Sequence, residues 1–124
     1  MRDLPLAYLN PLATVFRELR ETYQDMTVAQ ALAFTTIASN PGIPMKRIEQ
    51  LTGLSDSSVS RICHILGSQG NRKTEPLHLV YHQPMPDDAR VLTMHLTQRG
   101  RHLAQTLASE IKGARQDVRP PQER

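Results

Sequence analysis

Apolar residues recur along this chain at two spacings, and the change from one to the other divides it. Up to about residue 68 the spacing is helical. Leu12, Val15, Phe16, Leu19 and Tyr23 follow Asn10-Pro11, an N-cap residue and a proline at the first helical position, and predict a helix over 11–23. Thr27 with Gln30 has the form of a capping box ahead of Val28, Ala31, Leu32 and Ile37, and Asn40-Pro41-Gly42 is a sharp stop, so a second helix is expected over 28–39. Pro44 opens a third helix carrying Met45, Ile48 and Leu51, with Gly53 placed to end it in a left-handed conformation. Ser55 can cap a fourth helix over 56–68, whose first turn holds Asp56 against the helix dipole.

Beyond that helix the pattern alternates. Leu77–Tyr81 and Val91–Leu96 are short runs rich in apolar and branched residues, separated by the turn-forming stretch Pro84-Met85-Pro86-Asp87-Asp88, and they predict a β-hairpin. Thr97 then caps a last helix in which Leu103, Leu107 and Ile111 repeat every fourth residue, with Gly113 as its expected end. The expectation is one domain over 1–114, mainly α with a small β-hairpin wing, followed by a disordered basic tail over 115–124.

Composition narrows the class. Hydrophobic residues make up 39% and charged residues 22% of the 124, and no apolar run approaches the roughly 20 residues that a bilayer requires. The N-terminus lacks the apolar stretch of a secretory signal, and one cysteine cannot form an intramolecular disulfide, so a cytoplasmic location is expected. The net charge of +3 is unevenly placed: residues 1–53 hold five Lys/Arg against five Asp/Glu, whereas 61–102 hold six against three and all five histidines. A basic second half suits a phosphate-binding face, although a gradient of this size also arises on an ordinary solvated surface.

Helix, glycine turn and Ser-capped helix form the order of a helix-turn-helix, whose second helix enters the major groove. At 100° per residue, Val59, Ile62, Cys63 and Leu66 share one face of the fourth helix, and Ser57, Ser60, Arg61, His64 and Ser68 share the other. The first face is core. The second carries small hydroxyls and an arginine that can pair with the Hoogsteen edge of guanine, which makes Arg61 the leading base-reading candidate. The following hairpin turns the motif into a winged helix with Arg90 near the wing tip. Arg90 has two compatible readings, insertion into a narrow minor groove and a salt bridge to Asp87 or Asp88.

The stretch Ile48-Glu-Gln-Leu-Thr-Gly-Leu-Ser-Asp-Ser-Ser-Val-Ser-Arg61, then Asp88-x-Arg90, then Leu96-Thr97-x-x-Gly100, resembles the multiple-antibiotic-resistance regulator (MarR) family in order and spacing. Met26-Thr-Val-Ala-Gln30 and Asn40-Pro-Gly-Ile43 extend the resemblance over roughly residues 10–110. It implies a winged-helix homodimer, joined through helices 11–23 and 97–112, that binds a pseudo-palindromic operator in double-stranded DNA, most simply as a repressor. It further implies that Arg61 reads the major groove and Arg90 the minor groove. The full candidate DNA-binding set is Ser55, Ser57, Ser58, Ser60, Arg61, His64, Arg72, Lys73 and Arg90. Three features depart from the family pattern: Glu49 stands where a small residue usually packs, 71–78 adds about eight residues before the wing, and the chain ends soon after one C-terminal helix.

Other chemistry finds less support. Cys63 lies on the apolar face and reads as an inert thiol rather than a redox sensor. His78 and His82, four apart in a strand, share a face but stand too far apart for a metal site, so no metal or cofactor is expected and the histidines are read instead as pH-dependent surface charge near DNA. No glycine-rich phosphate loop, nucleophile elbow or paired carboxylate outside the Asp87-Asp88 turn points to an enzyme. The alternative is an adaptor whose winged helix grips another protein instead of DNA. A small-molecule effector has no readable site.

Overall fold

In the computed structural model, residues 3–68, 70 and 75–113 are described in full and 114–117 by their backbone alone. Their elements follow in the order α1 (Asn10–Thr22), α2 (Val28–Ser39), β1 (Ile43–Pro44), α3 (Met45–Thr52), α4 (Asp56–Leu66), β2 (Val80–Met85), β3 (Asp88–Leu96) and α5 (Gln98–Asp117), with a 3-10 helix over Leu6–Leu9 leading into α1. This is the expected winged helix. Two compact units divide it: one runs from Met26 to Ala104, and the other comprises the terminal segments up to Asp25 and from Gln105 onward.

The Met26–Ala104 unit is built on α2. Thr27 accepts a hydrogen bond from the Gln30 backbone at 3.0 Å, and the Gln30 side chain returns one to the Thr27 backbone at 3.0 Å, so the capping box closes and two otherwise orphaned N–H groups are satisfied. The helix packs against α3, α4 and β3. Phe34, Ile37, Ile48, Val59, Leu66, Leu79, Val80 and Met94 form a core in which each side chain is under 2% exposed. Gly53 ends α3 at φ 77°, a conformation that costs most other residues about 1–2 kcal/mol, and its N–H closes onto Glu49 O at 2.8 Å. Leu51, expected on the core face of α3, is 47% exposed.

The sheet differs from the expectation in three ways. Its strand order is β1-β3-β2, with Ile43 opposite Met94 and Pro44 opposite Thr93, so a two-residue strand joins the hairpin. The first hairpin strand begins at Val80, not Leu77. Leu77 to Leu79 instead cover the end of α4, with the N–H groups of Leu77, His78 and Leu79 donating to the carbonyls of Ile65, Gly67 and Leu66. The turn has only two residues, Pro86 and Asp87, because Pro84 and Met85 stay in β2 across a bulge. β2 is an edge strand, where a proline removes no ladder bond.

In the terminal unit, the apolar stripe predicted for α1 is split. Val15 and Leu19 are buried, while Leu12 is 46% and Phe16 53% exposed. α5 passes Gly113 without stopping and continues to Asp117, so the glycine expected as its end lies within the helix. No helix among the described residues is long and apolar enough to cross a membrane.

Candidate nucleic-acid interface

α4 forms where it does because Ser55 supplies the cap. Its side chain accepts from the Ser58 backbone N–H at 3.1 Å and donates to the Ser58 hydroxyl at 2.9 Å, with the Ser57 hydroxyl 3.3 Å away. Asp56 in the first turn meets the positive end of the helix dipole. Val59, Ile62, Cys63 and Leu66 are buried as the helical spacing requires, and Ile65 joins them. α4 ends at Leu66, two residues short of the expected end, and Ser68 lies in the turn beyond.

The opposite face carries the candidate contacts. Ser55, Ser57, Arg61 and His64 are exposed, and Ser58 and Ser60 are half-buried. Ser55 and Ser58 spend their hydrogen bonds largely on each other, which leaves Ser57, Ser60, Arg61 and His64 as the freer donors. Arg61 makes no ion pair with another described residue. Cys63 sits behind this face, and burial pushes its thiol up to about 11. At neutral pH it is therefore a packed apolar group with very little thiolate.

At the wing, Arg90 lies two residues into β3. Its Nε donates to Asp88 Oδ1 at 3.1 Å, its Nη2 to Oδ2 at 3.4 Å, and its backbone N–H to Oδ1 at 3.1 Å. The salt bridge open in the sequence is thus made, and its partner is Asp88. The Arg90 guanidinium beside it holds the Asp88 carboxyl below the usual carboxylate range. The Arg90 side chain nevertheless remains 91% exposed, so the fork is oriented without being covered.

Arg72 and Lys73 lie outside the described residues. Two cations that sequence reasoning passed over, Lys46 and Arg47, are exposed in the first turn of α3, immediately after the Pro44 start signal. Lys46 reaches Glu49 at 3.6 Å. That ion pair explains how a half-buried carboxylate is accommodated in the helix-turn-helix. Arg47 donates to the Gln50 side chain at 3.1 Å.

No protein-family model and no curated protein sequence matches the chain. Its fold is shared with solved transcription regulators. The PcaV regulator of Streptomyces coelicolor is 20% identical over 87% of this chain and 79% of its own, with a TM-score of 0.57. MepR of S. aureus, solved in complex with DNA, is 17% identical over 86% of this chain and 82% of its own, with a TM-score of 0.62. The MarR family transcription regulator SP03579 is 20% identical over 86% of this chain and 63% of its own, with a TM-score of 0.63. The chain has the winged-helix fold of these regulators.

Proposed function

We propose that this chain is a transcription regulator that binds a specific sequence in double-stranded DNA as a homodimer. The observation that carries the proposal is the outward face of α4, where Arg61 stands exposed beside small hydroxyls and pairs with no described carboxylate. A guanidinium left this open on a recognition helix suits the bidentate pairing that guanine offers in the major groove. Ser57, Ser60 and His64 supply shorter donors alongside it. Arg90, oriented by Asp88 and exposed at the wing tip, fits the narrow and strongly negative minor groove. The fold it shares with MepR, a regulator solved on DNA, supports the same reading.

The homodimer is supported by the terminal unit. Leu4, Leu6, Leu9, Leu12, Phe16 and Ile111 expose 46–81% of their surface, which is the chemistry of a face covered by a second copy. On this reading the chain carries out no catalysis, and it acts in the cytoplasm.

Selection from a pool of random duplexes, followed by sequencing, tests the proposal. Enrichment of an inverted repeat with half-sites about one helical turn apart is expected. Weak, sequence-independent binding that vanishes at moderate salt would overturn it in favour of a protein-binding adaptor.

A further inference from the structure

One part of the outward side shares only His64 with the contacts above. Between the C-terminal half of α4 and the hairpin lies a cleft of about 130 Å³. Its floor is apolar and closed, with Cys63, Val80 and Met94 at 7%, 1% and 1% exposure. Its rim is polar: His64 and Ser68 stand on the helix side and His82 on the strand side, all exposed. Neither imidazole bonds to another described residue.

Strand register fixes the orientation. His82 is opposite Met94, so both occupy the hairpin face that meets α4. Tyr81 and His95 stack on the other face with ring centroids 5.1 Å apart. One wall of the cleft therefore belongs to the recognition helix and the other to the wing. In a winged helix docked on a duplex these two elements occupy neighbouring grooves, and what separates a major from a minor groove is a single sugar-phosphate strand.

We infer that the cleft seats one backbone phosphodiester in each half-site, held from both sides by His64 and His82, and that operator affinity rises as pH falls. The inference rests on the duplex-binding reading. A phosphodiester offers only acceptors, and imidazolium offers two N–H donors and a charge, so the bound state favours the protonated rings. Imidazoles gain that charge on going from about pH 8 to about pH 5. The apolar floor suits the deoxyribose carbons beside the phosphate.

The other groups around the rings leave them free for an anion. On α4 these are the neutral Cys63 thiol below His64 and the cationic Arg61 one turn before it. β2 contributes Val80 and borders the cleft at Tyr81, whose ring stacks on His95 at the far face, and β3 contributes Met94; His78, exposed in the segment over the end of α4, is not among the lining residues. No carboxylate lines the cleft among the described residues.

The test titrates the selected operator at constant salt near pH 6 and pH 8, with the native chain and with the double variant His64→Asn/His82→Asn. The native chain is expected to bind about tenfold more tightly at the lower pH, and the double variant to lose that gain. A second arm needs no variant: single phosphates of the operator are replaced by methylphosphonates. One position per half-site should cost the native chain about tenfold at the lower pH and cost the double variant nothing. Tight binding with the same pH dependence in both proteins, or a methylphosphonate scan without such a position, overturns the phosphate seat and leaves the regulator reading standing. A native chain that binds no duplex at either pH overturns both.

Discussion

Among the described residues Arg61 makes no ion pair, whereas Arg90 is held by a carboxylate, and the difference sets what each can contribute to recognition. A free guanidinium pays side-chain entropy on docking and recovers it only where a base offers two acceptors in the right plane. Arg61→Ala should therefore weaken operator binding by about 1–3 kcal/mol and relax the preference at one base pair, read by repeating the selection with the variant. An unchanged sequence preference would remove Arg61 from the reading face. Arg90 is already oriented by Asp88, and its contribution should be mostly sequence-independent. Arg90→Ala is expected to weaken all duplexes alike and to lower the slope of log affinity against log salt by about one unit, while an unaltered slope would make the ion pair purely structural. Cys63 acts in the opposite direction, through what it does not expose. Its folded thiol sits at about 11, above the unfolded value of about 8.5, so the unfolded chain loses its proton first as pH rises. The contribution of this group to stability is fully present below about pH 8.5 and falls by about 2–3 kcal/mol by pH 11. Melting temperatures of native chain and Cys63→Ala, followed from neutral pH upward, should converge if this is correct.

The element that presents Arg61 is fixed at its far end by a short run of backbone. The last carbonyls of α4 would be orphaned, but the N–H of Gly70 takes His64 O at 2.7 Å and the N–H groups of Leu77, His78 and Leu79 take those of Ile65, Gly67 and Leu66. The same run caps the next helix. Leu79 O accepts from the Thr97 N–H at 3.0 Å, and the Thr97 hydroxyl donates to His78 O at 2.6 Å while accepting from the Gly100 N–H at 2.9 Å. A Cβ on residue 100 would run into the Leu79 carbonyl, which gives the Leu96-Thr97-x-x-Gly100 pattern its physical meaning. Gly100→Ala should cost about 2–3 kcal/mol in urea denaturation, since the obstacle is backbone and cannot rotate away. A loss of only a few tenths would show that the two segments separate freely. The cap at Thr97 was legible from the sequence, as were the capping box at Thr27 and the turn at Gly53, because each is a local bargain among residues a few places apart. The pairing of Ile43-Pro44 with β3 was not legible, since a two-residue strand exists only through its distant partner. The extent of β2 was missed for a related reason: Pro84 reads as a turn residue until the edge position of that strand is known. Leu77 and Leu79 show the same limit from the other side. Their alternation is strand-like, yet their N–H groups go to a helix end that no local pattern announces.

Across the whole molecule, the face of α4 could be worked out from spacing alone, but which element stands opposite it could not. Spacing places His82 only among histidines expected to add pH-dependent charge near DNA, and its place across from His64 follows from the packing of β2 on α4 rather than from any motif. The terminal helices pose the converse problem, because periodicity marks Leu12 and Phe16 as apolar without saying whether their cover is the same chain or another copy. Their exposure favours another copy: Leu9, Leu12 and Phe16 fall on one face of the helical segment that begins the chain, while Val15 and Leu19 are already buried. If a second protomer covers that face, Leu12→Glu/Phe16→Glu should bring two carboxylates into a desolvated interface and prevent association. Sedimentation equilibrium should then report the 14.0 kDa monomer where the native chain gives a dimer. Operator affinity should fall with it, because a monomer engages one half-site and loses the effective concentration that a tethered second half-site provides, worth about 10²–10⁴ in affinity. A doubly charged variant that remains dimeric would show that the copies meet elsewhere. One that becomes monomeric yet keeps full operator affinity would separate oligomerisation from recognition.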